Sequence, residues 1–448
     1  MHGTGVAPQV WFGLSPLWVS TIVLVIVYAA IMTERLNRAV IALLGATVVV
    51  AIGLLSQEQA LTKGIDWNTI TLLTGMMIIV AITRKCGVFQ YVAIKSAQWV
   101  KGSPAGMLVS LSLVTAVFSA FLDNVTTVLL VAPVTLAICK EMEFPPYPFL
   151  FTEIVTSNIG GTATLIGDPP NIMIGSLVGL SFNEFVIHLT PVIVVVMTVQ
   201  LGMQHLVWGR KLRAHPERTD RLMKMSAREA ITDVLLLRQS MGVLAFVIVA
   251  FVLARTIHLE PGTIAMLGAA LLLVLDCYGH HAEKQTEKVI HAFNEVEWIT
   301  IFFFCGLFIV VHSVEVGGLL KILADSLVKA TGGDVKLAGY SILWASAFLS
   351  AIIDNIPFVA TMIPLVKAMA PSLGGPEAIY PLWWCLSLGA CLGGNGTLIG
   401  ASANLTVAGI AERNGVRFKF LTYTLYAMPM MIVSVAISHV YVWLRYFS

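Results

Sequence analysis

GGTATLIGDPPN at residues 160–171 returns as GGNGTLIGASAN at residues 393–404, and seven of the twelve positions are identical. SAFLDNVTTVLLVAP at 119–133 likewise returns as SAIIDNIPFVATMIP at 350–364, with six of fifteen positions identical. The shared positions include polar residues, glycines and a proline in the same order, which two apolar sequences do not readily match by chance. The chain is therefore predicted to consist of two related halves.

The composition around these motifs is that of a membrane protein. Of the 448 residues, 57% are hydrophobic and 12% charged, against about 25% charged in an average soluble domain. Long apolar runs recur, each near the roughly 20 residues that span a bilayer. The N-terminus has no basic n-region and no small-residue cleavage site, and its apolar run continues into a full span, so we do not predict a cleavable signal. Neither a large soluble domain nor nucleic-acid binding is expected.

The apolar runs predict ten full spans and two re-entrant helical hairpins. Each hairpin stretch, 105–139 and 339–366, carries an Asp-Asn pair near its middle. The second lies between Lys336 and Lys367, which leaves 30 residues (367 − 336 − 1) where two spans would need about 34. The predicted spans are 12–32, 39–56, 67–83, 152–178, 190–208, 240–256, 261–277, 298–314, 382–409 and 421–443.

Each half has five full spans, an odd number, so the second copy must insert upside down. The predicted fold is an all-α polytopic membrane protein of two inverted five-span repeats, each with one re-entrant hairpin and one broken helix. The predicted domains are an N-terminal repeat (1–208), a cytoplasmic basic linker (209–239) and a C-terminal inverted repeat (240–448).

The positive charges predict the orientation. With the N-terminus outside, 20 of the 27 lysines and arginines fall on the cytoplasmic side, eight of them in the linker, as the positive-inside rule requires. We therefore predict a bacterial inner-membrane protein with both termini in the periplasm. Residues 84–101 and 317–337 read as amphipathic segments lying at the interface.

Polar residues at membrane depth identify the candidate site. Glycine pairs and a Pro-Pro interrupt a helix, and the freed backbone groups are tolerated only where they line a cavity or are buried in protein. Candidate helix-break residues are Gly160, Pro169, Pro170, Gly393, Gly394 and Gly396. Candidate substrate-binding residues are Asn124, Thr126, Thr127, Asn158, Gly161, Thr162, Thr164, Asn171, Asn355, Asn395, Thr397, Ser402 and Asn404.

Four carboxylates are candidates for proton or ion coupling. Asp123 and Asp354 occupy equivalent places in the two repeats, where they could cap the half-helices or cap them and also bind an ion or proton. Asp168 has no acidic counterpart, because the second repeat has Ala401 there, so we assign it a repeat-specific role in coupling. Glu153 could protonate or snorkel to the interface.

Other chemistry is not expected. The six cysteines are scattered without metal-ligand spacing, which argues against a structural metal or a disulfide framework. Cys139 and Cys391 could bind trivalent arsenic, although a lone cysteine in an apolar helix is usually a small buried hydrophobe. The pair His280-His281 reads as a solvated loop. No Walker loop, HExxH or nucleophile motif occurs, so we predict a protein that is not an enzyme and has no cofactor.

The segments 121–135, 156–175 and 352–366 resemble the ArsB/NhaD/P-protein branch of the ion transporter superfamily. The resemblance implies a scaffold region, a mobile transport region and elevator-like alternating access. In the related divalent-anion/sodium symporters, Ser-Asn-Thr motifs at the hairpin tips bind sodium and substrate. Here the tips read DNVT at 123–126 and DNIP at 354–357, which adds a titratable group to each.

The resemblance implies efflux of arsenite and antimonite, mainly as the uncharged trihydroxides, in exchange for protons. Sodium/proton antiport through the same site is the first alternative. Anion or carboxylate transport is the second, although two fixed carboxylates would repel a dicarboxylate. The expected partners are the small inorganic solute, protons and the lipid bilayer. Sodium, a soluble ATPase subunit at the cytoplasmic linker and a second copy of the chain are further candidates.

Overall fold

A computed structural model describes residues 10, 13–33, 35–212, 219 and 222–448, and these residues form helices and connecting turns without a strand. An all-helical chain suits a bilayer, because a helix satisfies its backbone hydrogen bonds internally. Three arginines of the predicted basic linker, Arg213, Arg218 and Arg221, lie outside the described residues.

The first half of the chain forms a succession of helices joined by short connections. They are α1 (Pro16–Met32), α2 (Arg38–Ala51), α3 (Trp67–Lys85), α4 (Val88–Trp99), α5 (Pro104–Phe121), α6 (Asn124–Met142), α7 (Pro146–Thr162), α8 (Pro169–Val178) and α9 (Phe182–Gln204). A short helical turn at 57–64 precedes α3, and α9 continues into a π-helical turn, His205–Gly209.

The second half repeats this order, with an added helix, Ala282–Asn294, where the first half has the short turn at 57–64. Its helices are α10 (Val234–Ile257), α11 (Pro261–Cys277), α12 (Ala282–Asn294), α13 (Trp298–Gly317), α14 (Leu319–Ala330), α15 (Val335–Ile352), α16 (Asn355–Met369), α17 (Tyr380–Gly393), α18 (Ser402–Arg413) and α19 (Phe420–Val442). A π-helical turn, Trp443–Phe447, extends α19.

Eight of the described helices are long and apolar enough to cross a membrane, namely α3, α5, α6, α9, α10, α13, α15 and α19. Three shorter apolar helices, α1, α2 and α11, account for further predicted spans. The span predicted at 39–56 is too long, since α2 ends at Ala51 and Gly53 adopts a φ of +80°. Apolar Leu54 and Leu55 extend the hydropathy run beyond the helix.

The segment between α11 and α13 contains a helix that the apolar runs did not predict. His280 and His281 lie in a connecting turn, as expected, and α12 follows them as a charged amphipathic helix. Lys288 of this helix donates to the Asp276 carboxylate at 2.8 Å, and the side chain of Asp276 is buried. The charged residues of α12 explain why it was not predicted from apolar runs. One of them, Lys288, also attaches α12 to α11.

The two halves exchange helices reciprocally. In the first half α2 packs against α13 of the second, and in the second half α11 packs against α3 of the first. Gly306 allows the first contact, because an added Cβ would lie 2.5 Å from the backbone carbon of Ala42. Gly75, 231 positions earlier (306 − 75), allows the second, since its Cβ would lie 2.6 Å from the backbone carbon of Ala265. The predicted fold class is confirmed, and the domain boundaries stay a prediction.

The hairpins and broken helices pack by the same reciprocal rule. Within each half, the first hairpin arm lies on the first part of the broken helix, α5 on α7 and α15 on α17. Across the halves, the second arm lies on the second part of the partner's broken helix, α6 on α18 and α16 on α8. This arrangement brings both hairpin tips and both helix breaks to one interior region.

Candidate functional site

Each hairpin tip is a helix N-terminus capped by an aspartate. Asp123 accepts a hydrogen bond from the backbone N–H of Thr126 at 2.8 Å and another from its hydroxyl. Asp354 accepts from the backbone N–H of Ile356 at 3.0 Å. Both carboxylates satisfy otherwise unpaired donors of the first helical turn, so capping is part of the role of each.

Close glycine contacts hold each hairpin on its broken helix. An added Cβ on Gly160 would lie 2.2 Å from the carbonyl oxygen of Ala116, and one on Gly393 would lie 2.5 Å from that of Ala347. These two glycines lie within the last turns of α7 and α17. Both permit close approach of backbones. Gly393 also ends α17, as a helix-break residue should, whereas Gly160 lies inside the last turn of α7.

The chain unwinds after Thr162 and after Gly393. Pro169 and Pro170 likewise do not interrupt a helix, because they occupy the first two positions of α8, where a missing N–H leaves no bond unmade. Gly161 is the last residue but one of α7, and its lack of a side chain lets the unwound segment approach, since its Cβ would lie 2.4 Å from the Gly167 carbonyl oxygen.

Hydroxyl groups join the same elements in both repeats. Ser119 donates to the carbonyl oxygen of Ser157 at 2.6 Å, and the matching residue Ser350 donates to that of Ala390 at 2.7 Å. Thr164 and Thr397 each donate to the preceding hairpin arm, at Ala120 and Ala351. The two threonines that we expected at the substrate are therefore occupied in holding the breaks against the hairpins.

Two asparagines satisfy the carbonyl groups that the breaks release. The side-chain amide of Asn171 donates to the carbonyl oxygens of Thr162 and Thr164 at 3.1 and 2.9 Å. The amide of Asn404 donates to those of Gly394 and Thr397 at 2.8 and 2.9 Å. Such bonds make an unwound segment tolerable away from water, so both side chains stabilise the breaks directly.

Asn158 is the junction of the two repeats. Its amide nitrogen lies 2.9 Å from the side-chain oxygens of both Asn395 and Asn404, and its oxygen accepts from Asn124 at 3.0 Å. All four asparagines are buried. One side chain of α7 thus ties together the first hairpin tip, the second break and the start of α18.

Asp168 contacts the second hairpin tip, as Asn158 contacts the first. Its Oδ1 is 3.4 Å from the amide nitrogen of Asn355 at the second hairpin tip. Its Oδ2 has no hydrogen-bond partner, and the residue is fully buried. The side-chain oxygen of nearby Asn171 accepts from Ser387 at 2.6 Å and from Cys391 at 3.5 Å. A carboxylate in this setting is the strongest candidate for a proton or cation site.

A cavity of about 770 Å³ opens beside the second hairpin tip. Arg38, the first residue of α2, reaches into it and lies 3.0 Å from the Asp354 carboxylate and 2.6 Å from the Ser402 hydroxyl. Ser402 in turn donates to Asp354 at 3.0 Å. Most of the remaining wall is apolar, with Glu297 and Thr300 as further polar groups.

Arg38 is a site residue that the sequence reasoning missed, because it was counted with the cytoplasmic loop charges. One signal could have found it. A cation at the first position of a helix opposes the helix dipole, so an arginine there needs another partner.

A known protein family shares the sequence that builds this geometry. The family description Citrate transporter (CitMHS) matches residues 28–389 of the chain. The chain belongs to the citrate transporter family. This span includes both hairpins, the first break and Asn158, and it ends within α17.

Individual proteins are similar to this chain over nearly its whole length. An uncharacterized transporter of Mycobacterium tuberculosis is 41% identical over 96% of this chain and 98% of its own length. A 46 kDa membrane protein of Mycobacterium leprae is 42% identical over 95% of this chain and 97% of its own. The human P protein is 34% identical over 94% of this chain, which spans 59% of that protein. The chain is accordingly a secondary transporter and not an enzyme.

Two solved structures share the fold of this citrate transporter family member. The YdaH transporter of Alcanivorax borkumensis has a TM-score of 0.56 at 12% identity, covering 97% of this chain and 99% of that one. The antimetabolite efflux pump MtrF of Neisseria gonorrhoeae has a TM-score of 0.58 at 11% identity, covering 96% and 95%. These similarities concern the fold alone.

Several predicted residues lie apart from the central amides of this citrate transporter family member. Glu153 is fully buried against α6, where its Oε1 accepts from Thr135 and its Oε2 has no partner. The hydroxyl of Thr127 is also buried without a partner, whereas Thr126 serves the cap at Asp123. Over the described ranges, no group of three or more His, Cys, Asp or Glu side chains could hold a metal ion.

Proposed function

We propose that this member of the citrate transporter family is a proton-coupled secondary transporter in which Asp168 carries the coupling proton or cation. The burial of its carboxylate beside Asn355 of the second hairpin tip, with Oδ2 unpartnered, supports this most directly, because the similarly buried Glu153 lies apart from both tips. An ionised carboxylate in such a place is costly. Binding or releasing a proton or cation therefore changes the free energy of the contact between Asp168 and the second hairpin tip. Asp123, Asp354 and Glu153 are the other candidate carriers.

Alternating access would proceed by an elevator-like movement. We assign α2, α3, α11 and α13 to the scaffold, because their backbones are in close contact at Gly75 and Gly306. The hairpins and broken helices would move as the transport region. A substrate held in the cavity beside the second hairpin tip then crosses the bilayer with the carrier, as expected of a site between inverted repeats.

The cavity supports an inward-open state. It is lined by Met32, Leu36 and Val296 from the two connections that the positive charges assign to the cytoplasm. On the proposed orientation, the termini lie in the periplasm of a bacterial inner membrane and the cavity opens to the cytoplasm. An exporter would load its solute in this state.

The proposed solutes are arsenite and antimonite, exported as uncharged trihydroxides in exchange for protons. The hydroxyls of Thr300, Ser402 and Thr406 line the cavity beside the second hairpin tip and suit a small neutral hydrogen-bonding solute. The carboxylates of this cavity outnumber its cations, which disfavours a multiply charged anion. Cys139 and Cys391 are fully buried, so the solute would bind through its hydroxyl groups and not through thiolates.

A carboxylate substrate is the second candidate, and Arg38 is the observation that favours it. Its guanidinium projects into the cavity with 27% of the side chain exposed, and arginine binds carboxylates in a bidentate manner. The family description also names citrate. Arg38 is already paired with the Asp354 carboxylate, so a bound anion would have to displace that carboxylate.

The substrate is tested with everted vesicles energised by a proton gradient. Arsenite, antimonite, citrate and sodium are supplied in turn, and vesicles without the protein give the background. Gradient-driven accumulation of arsenite supports the first candidate. Accumulation of citrate alone supports the second, and proton release on adding sodium alone would favour sodium/proton antiport. The soluble ATPase subunit at the linker and a homodimer also stay proposals, which pull-down and mass measurement in detergent can test.

The Asp168→Asn variant is expected to reduce gradient-driven transport at least about tenfold, because an amide keeps the shape but does not exchange the proton. The folded yield should match that of the wild type, since Asn355 can still bond to the side-chain oxygen. Asp325→Asn on α14 is the matched control and should transport normally. Undiminished transport by Asp168→Asn would refute its coupling role.

The Asp123→Asn variant is expected to abolish proton-driven transport while the protein remains folded in detergent. Asparagine is also a good N-cap, so the bond to the Thr126 N–H can persist while the charge is removed. The readouts are everted-vesicle uptake and the thermal midpoint. Unchanged uptake would restrict Asp123 to its capping role.

A further inference from the structure

The two hairpin tips differ in one respect that the repeats do not predict. At the second tip, Arg38 forms an ion pair with Asp354 at 3.0 Å. At the first tip, Asp123 has no ion pair within 4.0 Å among the described residues, and its bonds are those to Thr126. Asp354 therefore has a positively charged partner, whereas the equivalent Asp123 has none among the described residues.

The helix exchange explains where the asymmetry arises. Ala42 of α2 and Ala265 of α11 make the equivalent contacts to Gly306 and Gly75, so the matching positions are 223 apart (265 − 42). The position that matches Arg38 is then residue 261 (38 + 223), which is Pro261. At the position equivalent to Arg38, the second repeat thus has a proline and not a cation.

The guanidinium of Arg38 lies among oxygen atoms. It is 2.6 Å from the Ser402 hydroxyl, 3.0 Å from the Asp354 carboxylate and 3.4 Å from the Thr300 hydroxyl. A carboxylate with two hydroxyl groups is the kind of oxygen set that small hard cations prefer. The face of the Phe303 ring lies 5.0 Å from the same guanidinium, and cations are attracted to aromatic faces.

We propose that Arg38 is a tethered cation that occupies the place of a transported monovalent cation at the second hairpin tip. Arginine stays charged at all working pH values, so Asp354 is permanently neutralised and does not need to bind an ion in each cycle. This inference rests on the proposed ion coupling, and it assigns the mobile proton or cation to Asp123 and Asp168. Arg38 acts through Asp354 and is in that sense a positioning residue.

The consequence is that removing Arg38 should create a sodium site. In Arg38→Ala, the three oxygens remain while the internal cation is lost, which leaves the partly exposed Asp354 carboxylate at the cavity wall without a positive partner. Sodium added to this variant should bind there and stabilise the folded state by mass action. Arg38→Lys keeps a cation on a flexible aliphatic side chain and should need no sodium.

The experiment measures the thermal midpoint of purified full-length protein in sodium chloride against choline chloride at equal ionic strength. The variants are Arg38→Ala, Arg38→Lys, the double variant Arg38→Ala/Asp354→Asn, and Arg35→Ala as a control from the same loop. We expect a sodium-specific rise, about 1–3 °C larger than in the wild type, in Arg38→Ala alone. Radioactive sodium binding should rise by one site per chain in that variant.

The outcomes separate clearly. An equal sodium response in Arg38→Ala and the wild type, or one that persists in the double variant, overturns the proposal. If Arg38→Ala aggregates in choline chloride but stays folded in sodium chloride, the proposal is supported, and aggregation in both salts counts against it. Because these measurements are of equilibrium binding, they can succeed even if the Asp168 transport assay fails, and the reverse also holds.

Discussion

Gly160→Ala is expected to leave almost no folded transporter in the membrane. The new Cβ would lie 2.2 Å from the carbonyl oxygen and 2.5 Å from the Cα atom of Ala116. All the opposing atoms belong to backbone, so no side chain can rotate away, and α5 would have to separate from α7. We expect a destabilisation of about 3 kcal/mol or more, with a similar result for Gly393→Ala.

The matched control is Gly202→Ala in α9, where an added Cβ meets nothing within 4 Å. Alanine in an open helix interior stabilises by up to about 1 kcal/mol relative to glycine. Thermal midpoints and membrane yields of the three variants are compared with the wild type. Near-normal yield and transport for Gly160→Ala would contradict the close packing of hairpin and broken helix described above.

Asn158→Ala is expected to uncouple the two repeats at their junction. The change removes three amide hydrogen bonds and leaves the oxygens of Asn395 and Asn404 and one N–H of Asn124 buried without that partner. Unsatisfied buried groups cost about 1–3 kcal/mol each, so we expect a loss of about 3 kcal/mol or more, and transport should fall to background.

The isosteric variant Asn158→Asp sharpens this prediction. An ionised aspartate can still accept from Asn124, but it cannot donate to Asn395 or Asn404 and would face their oxygens with a negative charge. It should therefore fail as Asn158→Ala does. Asn414→Ala, which removes one local bond to the Ile410 carbonyl, is the control. Normal stability and transport in both Asn158 variants would show that the junction is dispensable.

The repeats made much of this fold predictable, because polar residues in an apolar chain mark the places where the backbone departs from a regular span. The Asp-Asn pairs predicted the hairpin tips, and the two glycine-rich motifs predicted the breaks. The roles within the site were harder to predict. Asn171 and Asn404 match in sequence and in their bonds to the breaks, whereas Asn158 corresponds to Cys391 (391 − 158 = 233), so its central position had no repeat to support it.

Long-range partners account for the remaining failures. Arg38 lies in a loop-like stretch of the sequence, 316 positions from the aspartate that it pairs with, and no local pattern indicates that contact. The helix α12 was missed for a related reason, since its lysines make sense only beside the buried Asp276. In both cases the decisive interaction joins residues that are distant in the sequence or lie on opposite sides of a turn.

The reciprocal helix exchange has a consequence for how the protein is made. The contact of α3 at Gly75 cannot form until α11 (residues 261–277) is synthesised. The contact of α2 likewise waits for Gly306 of α13 (residues 298–317). The first repeat therefore cannot finish its packing as it leaves the ribosome. Cells must hold a half-assembled bundle in the lipid until the later helices arrive, and expressing the two halves separately would leave each without these contacts.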